Sequence, residues 1–191
     1  MILEGLVTTI DGAGAMHVAA MGPVVDDADV AAGRVRRLVL RPFASSQTAA
    51  HLAASPQGVF HVTDDVLLLA RVVTGEIPAP PAARPAEAVC GWVLDDACRA
   101  WEFVVEAAER GGERQRLEAR VVAEHAGRPF LGFNRAAHAV VEGCILVTRL
   151  HLPGADGIAQ RLAELAPLVE KTGGRREREA FELVVARARR G

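Results

Sequence analysis

From Leu40 to Thr48 the chain reads Leu-Arg-Pro-Phe-Ala-Ser-Ser-Gln-Thr, and four of its side chains can hold an anion: Arg41, Ser45, Ser46 and Thr48. Arginine presents a planar fork of N–H donors that matches a phosphate. If the hydroxyls stand where a strand passes into a helix, the unpaired backbone N–H groups and partial positive charge of the helix start act on the same anion. The stretch has neither the glycines nor the lysine of a P-loop. Two readings stay open: Ser45 or Ser46 only caps a helix from Gln47 to Ala54, or the capped junction also seats a phosphate.

The other candidates carry less. Asn134-Arg135 sets an amide and a guanidinium at the start of a helix, as a cap or as ligand contacts. His138 and Glu142 lie one helical turn apart, a spacing that can hold a metal, but no third ligand accompanies them; a hydrogen-bonded pair is the plainer reading. His61 alternates with Phe60 and Val62, so it faces away from them, lining a pocket or satisfied within a core. Asp95-Asp96 suits a turn or helix cap. There is no GxSxG elbow, and none of Cys90, Cys98 or Cys144 sits in a recognisable nucleophile setting. The arginines at 175–176 and 187–190 read as a solvated helix face.

The elements that must position these groups follow from the apolar pattern. Ile2–Ile10 and His17–Val25 read as a strand pair around the turn Asp11-Gly-Ala-Gly14, with Met21-Gly22-Pro23 marking a bulge, a close backbone approach, or a plain edge-strand kink. Asp26–Gly33 reads as a loop, Arg34–Arg41 as a strand ended by Pro42, and Gln47–Ala54 as a short helix. Val59–Thr63 is a strand; Asp64-Asp65 offers a cap for a helix over Val66–Thr74. The proline-rich stretch Ile77–Pro85 is an extended connector and Ala88–Leu94 a strand. Ala100–Ala108 and Arg116–Ala123 read as a long hairpin around Gly111-Gly112, with a helix over Asp95–Arg110 as the main competing reading. After Gly127 the period changes: Ala137, Val140, Val141, Cys144 and Ile145, then Ile158, Leu162, Leu165 and Val169, then Phe181, Val184 and Val185 mark three amphipathic helices. Pro153-Gly154 separates the first two and Gly173-Gly174 the last two. The predicted organisation is a β-rich domain over 1–130 and a helical subdomain over 131–191.

Composition narrows the function. The chain has 191 residues, half of them apolar and 24% charged, enough for one sizeable core or a domain with an appendage. A net charge of −2 gives no general pull toward nucleic acid or membrane, and the absence of Tyr with only 4% aromatics argues against single-strand platforms built on stacking. Three cysteines without a CxxC pair do not make a disulfide framework, so a reducing cytoplasm is the expected setting. No signal peptide is read at the N-terminus, and no apolar run approaches a membrane span.

Several short pieces together resemble a known family: Met1-Ile-Leu-Glu-Gly with Val7-Thr-Thr9, Ala20-Met-Gly-Pro-Val24, Leu40-Arg-Pro-Phe43 with Ser46 and Thr48, Gly58-Val-Phe-His-Val-Thr-Asp-Asp65, Cys98–Phe103, Gly132-Phe-Asn-Arg-Ala-Ala-His138 and Lys171-Thr-Gly-Gly174. They span nearly the whole chain. The sequence is similar to an uncharacterised domain-of-unknown-function family, four-four-seven, of the FMN-binding split-barrel superfamily. The resemblance implies a mainly β fold with α elements, a Greek-key-like split β-barrel followed by a small helical bundle, and a homodimer with FMN at the subunit interface. It implies that Arg41, Ser45, Ser46 and Thr48 hold the phosphate and that Met21, Gly22 and Pro23 lie against the isoalloxazine. Phe60, His61, Val62 and Thr63 would complete the floor of the site. Asn134 and Arg135 would reach the flavin from the same or the other subunit.

A flavin brings its own redox chemistry, which accounts for a chain without a strong acid–base or nucleophile constellation. Three functions follow: an oxidoreductase of flavin-reductase type, a non-catalytic FMN-binding module, or a dimeric scaffold that has lost the flavin.

Overall fold

The computed structural model describes residues 1–152 and 157–191, which divide into two compact units: residues 1–63 with 80–129, and residues 64–79 with 130–191. The expected break at Pro153-Gly154 lies outside the described residues.

The first unit is built on a six-stranded antiparallel sheet in the order β2-β1-β4-β7-β8-β3. Its strands are β1 (Gly5–Ile10), β2 (Met16–Met21), β3 (Arg37–Leu40), β4 (Gln57–Val62), β7 (Arg99–Glu109) and β8 (Arg116–Ala126). Strands β1 and β2 form the expected hairpin, with Thr9 opposite His17. Strands β7 and β8 form the long hairpin, with register shifts after Glu102 and Val105. The two edge strands are linked: Val24, just past β2, exchanges both backbone hydrogen bonds with Val39 of β3, each at 2.9 Å. One face of the sheet carries the larger core, including Val7, Leu38, Leu40, Phe60, Trp101, Phe103 and Leu117, with Leu52 of helix α2 (Gln47–Ala54) packed among them. Gly58 belongs to this packing, since a Cβ there would stand 2.7 Å from the Thr8 carbonyl and 3.0 Å from the Phe103 ring.

The opposite face is covered by a two-stranded ribbon, β5 (Ala83–Pro85) and β6 (Trp92–Leu94). Val89 and Val93 pack there on Val59 and Ala100. The connector and the strand expected over 77–94 thus become a ribbon with a wide turn, because the backbone N–H groups of Glu87, Ala88 and Val89 point at the buried Glu102 carboxylate instead of at a neighbouring strand. The expected loop at 26–33 contains a short helix, α1 (Asp27–Ala31). Its Asp29 is buried and holds Arg36 by three hydrogen bonds of 2.7–2.9 Å, which keep the Asp29 carboxyl below its ordinary range.

Among the described residues the second unit contains four helices: α3 (Val66–Thr74), α4 (Arg135–Val147), α5 (Ile158–Thr172) and α6 (Arg175–Arg190). Helix α3 forms despite its β-branched residues, because Asp65 accepts from the N–H groups of Leu67 and Leu68, Gly75 ends it at φ 74°, and Val66, Leu67, Leu69 and Ala70 are buried. It lies with the C-terminal helices, not with the strands that flank it in sequence. Three ion pairs run along α3 and α6: Asp65–Arg176 at 2.6 Å, Arg71–Glu179 at 2.7 Å, and Glu76–Arg190. Part of the arginine-rich face of α6 is therefore paired rather than only solvated. Gly143 lets α4 approach its neighbours, since a Cβ there would stand 3.0 Å from Val184 and 3.3 Å from Leu162. No helix of the described residues is long and apolar enough to cross a membrane.

Candidate functional site

The junction between β3 and α2 takes its shape from both of its sequence signals. Pro42 ends β3, and Ser46 caps α2, its Oγ accepting from Ala49 N–H at 3.2 Å and donating to Phe43 C=O at 2.7 Å. The backbone of Ser46 accepts from Ala50 N–H. The N–H groups of Gln47 and Thr48, which an α-helix cannot pair internally, stay open at the helix start. Arg41 and Ser45 are exposed beside them, while Thr48 is buried, 3% exposed.

A second arginine, absent from the sequence expectation, arrives from the tip of the β7–β8 hairpin. Ala44 N–H donates to Glu113 C=O, and Gln115 N–H donates to Pro42 C=O, at 2.9 and 3.0 Å. These bonds lay the tip along residues 42–44. The Arg114 guanidinium sits 3.7 Å over the Phe43 ring and donates from Nη1 to Arg41 C=O at 2.9 Å. Among the described residues neither Arg41 nor Arg114 has a carboxylate partner. Two unpaired guanidiniums, a free hydroxyl and two open N–H groups make a donor-rich, cationic surface whose chemical complement is a phosphate. Nothing in the sequence joins positions 114 and 43; only the hairpin register does.

The inner side of α2 carries a second polar group that sequence reading missed. Thr48 Oγ1 lies 3.5 Å from His17 Nε2 on β2, and Thr9 Oγ1 on β1 lies 3.1 Å from His51 Nδ1. The two imidazoles meet edge-on, with centroids 5.1 Å apart. Helical spacing links Thr48 to His51. Pairing them with Thr9 and His17 requires the tertiary packing of α2 on the hairpin.

The other expected residues fall in different surroundings. Pro23 is buried and its C=O accepts from Leu3 N–H at 3.1 Å. A Cβ on Gly22 would stand 2.8 Å from Ile2 and 3.0 Å from Glu4, so the close neighbour of this backbone is the N-terminal segment. Met21 is half-buried against the larger core. The Phe60 ring is fully enclosed and stacks on Trp101, centroids 6.0 Å apart. His61 is also fully enclosed: Nδ1 faces Leu6 C=O at 3.3 Å and Nε2 accepts from Leu94 N–H at 3.1 Å. Burial pushes its pKa down to about 4, so it is a neutral, doubly bonded core histidine. Val62 and Thr63 are half-buried at the end of β4.

Asn134 and Arg135 belong to the second unit. Asn134 Oδ1 caps α4, accepting from Ala136 and Ala137 N–H at 2.8 and 3.2 Å, and its Nδ2 donates to Thr172 C=O at 3.3 Å. Arg135 is exposed. Just before them Phe130, Leu131 and Phe133 are 51%, 89% and 90% exposed. Asp95 and Asp96 occupy a turn and pair with Arg84 and Arg128 at 3.2 and 2.9 Å. Burial pushes the Cys144 thiol up to about 12, which makes it inert. Among the described residues no group of three His, Cys, Asp or Glu side chains is placed to hold a metal.

Against this geometry, sequence models of one family match almost the entire chain. The N-terminal domain of "Protein of unknown function (DUF447)" covers residues 3–128, and the C-terminal model of the same family covers 134–186. The chain belongs to the DUF447 family. A solved DUF447 structure, an FMN-bound protein from Methanosarcina mazei, is similar over 97% of this chain and 94% of its own, at 20% identity and TM-score 0.81. The styrene monooxygenase flavin reductase from Pseudomonas putida is similar over 67% of this chain and 82% of its own, at 15% identity and TM-score 0.54. An FMN-binding protein from Thermus thermophilus is similar over 68% and 77%, at 13% identity and TM-score 0.54. At these identities the likeness is one of fold, and it agrees with the mixed α/β architecture of an antiparallel sheet followed by C-terminal helices. No curated protein is detectably similar to the chain.

Proposed function

We propose that this DUF447 protein binds FMN and acts as an oxidoreductase of flavin-reductase type, with the flavin phosphate seated at the β3–α2 junction. The observation that carries the reading is the donor set there: Arg41 and Arg114 without carboxylate partners, the Ser45 hydroxyl, and the open N–H groups of Gln47 and Thr48. The two guanidiniums neutralise the phosphate, and the helix start fixes its position. Phe43 holds the Arg114 guanidinium by its ring face, so that little side-chain freedom remains to be lost on binding. Support comes from the FMN-bound family member and from the flavin reductase among the fold neighbours.

The link between Val24 and Val39 is, on this reading, the seam that closes the sheet into a split barrel. Bound FMN supplies hydride and one-electron chemistry. The chain binds and orients it, and Met21, Gly22, Pro23, Val62 and Thr63 are assigned to the ring. Phe60 and His61, being enclosed, act by setting the position of β4. We assign the exposed Phe130, Leu131 and Phe133 to contact with a second copy of the chain, and Asn134 and Arg135 to the flavin site that this dimer completes.

The test is an absorbance scan of the purified protein at the flavin bands, followed by fluorescence titration with FMN and anaerobic addition of a reduced nicotinamide. Bound flavin that bleaches with the donor supports the full reading. Bound flavin that no donor bleaches refutes the reductase half and leaves a binding module. Absence of FMN binding refutes the whole.

A further inference from the structure

The histidine–threonine cluster behind helix α2 has an unusual charge balance. Thr9 and Thr48 are 1% and 3% exposed, and His17 and His51 are half-buried between them. Their internal bonds are few: the Thr48–His17 contact is 3.5 Å, and among the described residues His17 Nδ1 and His51 Nε2 have no partner in the chain. The titratable groups that face His17 are His51 from α2 and, beyond it, Asp11 from the β1–β2 turn. The Asp11 carboxylate is engaged by the N–H groups of Ala13 and Ala15 at 2.8 and 2.9 Å, and its charge reaches His51. Burial, and then the nearness of His51, hold His17 toward its neutral form.

A positive charge on either of two imidazoles this close, in a half-buried site, disfavours a charge on the other, and an anion in contact with both relieves that repulsion. The hydroxyls of Thr9 and Thr48 now face His51 Nδ1 and His17 Nε2; once an imidazole is protonated and donates to its threonine, that hydroxyl is released to donate to an anion. Thr48 also stands in the first turn of α2, where the open N–H groups lie. Among the described residues no carboxylate bonds either imidazole, and Asp11 acts on His51 only through space, so an arriving anion would be the first negative group in direct contact with the cluster.

We propose that His17, His51, Thr9 and Thr48 form a proton-linked extension of the phosphate seat, in which His17 takes up a proton from solvent when the phosphomonoester of FMN arrives. No bond is made or broken other than this protonation. The inference rests on the FMN reading above and adds to it that recognition of the nucleotide is coupled to pH through β2.

The experiment is a long-range proton–nitrogen correlation spectrum of the histidine side chains in the full chain, followed from about pH 5 to pH 9, a range that spans the imidazole titration. It is run without ligand, with FMN and with riboflavin, and His17→Gln identifies the resonance. In the free protein His17 titrates below the ordinary imidazole value; with FMN it titrates above it; riboflavin, which has no phosphate, leaves it in place. In parallel, FMN affinity rises on acidification in the wild type relative to His17→Gln, by about tenfold for each unit that FMN raises the His17 pKa. The variant retains the phosphate's own titration, so the difference isolates the histidine. If FMN quenches its fluorescence on the protein while His17 does not move, or moves equally with riboflavin, the proposal is overturned and FMN binding stands. If no FMN binds, the flavin reading falls and takes this proposal with it.

Discussion

Replacing Glu102 tests how the β5–β6 ribbon is held to the sheet. The carboxylate is fully enclosed; Oε1 accepts from Glu87 N–H at 2.7 Å and from His125 Nε2 at 2.6 Å, and Oε2 accepts from Ala88 and Val89 N–H at 2.6 and 3.0 Å. Burial, the largest single effect, pushes its pKa up, but the Glu87 N–H, His125 and the Ala88 N–H outweigh it, and the carboxyl ends below its ordinary value. Glu102→Gln keeps the shape. Its remaining oxygen can serve Ala88 and Val89, and His125 can change tautomer to accept from the new amide, which leaves the Glu87 N–H facing a donor. One orphaned donor destabilises by about 1–3 kcal/mol. Glu102→Ala orphans all four donors, and the loss should reach roughly 3–5 kcal/mol, as for a broken buried pair.

The assay is urea unfolding at neutral pH, read by Trp fluorescence, with amide exchange at Ala88 and Val89 as the local signal. A Glu102→Ala variant within about 0.5 kcal/mol of wild type, the range of ordinary surface substitutions, with those amides still protected, would refute the reasoning. The sign with pH is fixed. A carboxyl depressed in the folded state contributes stability above its unfolded pKa, about 4.3, and loses it as pH falls through the lower folded value. The gap between wild type and Glu102→Gln should therefore narrow in acid. His61, neutral in the fold with a pKa of about 4, removes stability from both proteins as pH drops from about 6.5, and cancels in their difference.

Two further outcomes are expected. Arg41→Ala and Arg114→Ala should each weaken FMN by roughly 10- to 150-fold, the equivalent of about 1.5–3 kcal/mol for a hydrogen bond to a charged group, while riboflavin affinity stays put; equal losses for both flavins in calorimetric titrations would remove the phosphate role. Leu131→Ser with Phe133→Ser should shift the protein from dimer to monomer in sedimentation; an unchanged mass would place the subunit contact elsewhere.

Much of the architecture was legible because it depends on local period and local chemistry. The alternating strands, the change to helical spacing after Gly127, the Ser46 cap of α2 and the Asn134 cap of α4 all act over a few residues, and each lies where the pattern put it. The ribbon at 83–94 reads as connector and strand in the sequence because its turn is held by Glu102, on a strand that begins five residues after the ribbon ends. The basic face of α6 reads as solvated in the sequence because its acidic partners, Asp65 and Glu76, flank α3 about a hundred residues earlier.

At the candidate site the division is the same. The sequence by itself determined that a strand ends at a proline, that a serine opens a helix, and that an arginine and hydroxyls stand at that start. These follow from backbone geometry and hydrogen-bond accounting within nine residues. Only the tertiary structure decided that Arg114 arrives on Phe43 and that His17 and Thr9 lie under Thr48 and His51. It also enclosed Phe60 and His61. Contacts of that kind depend on strand register and on which face of α2 meets the sheet, and both are settled by burying the whole core at once.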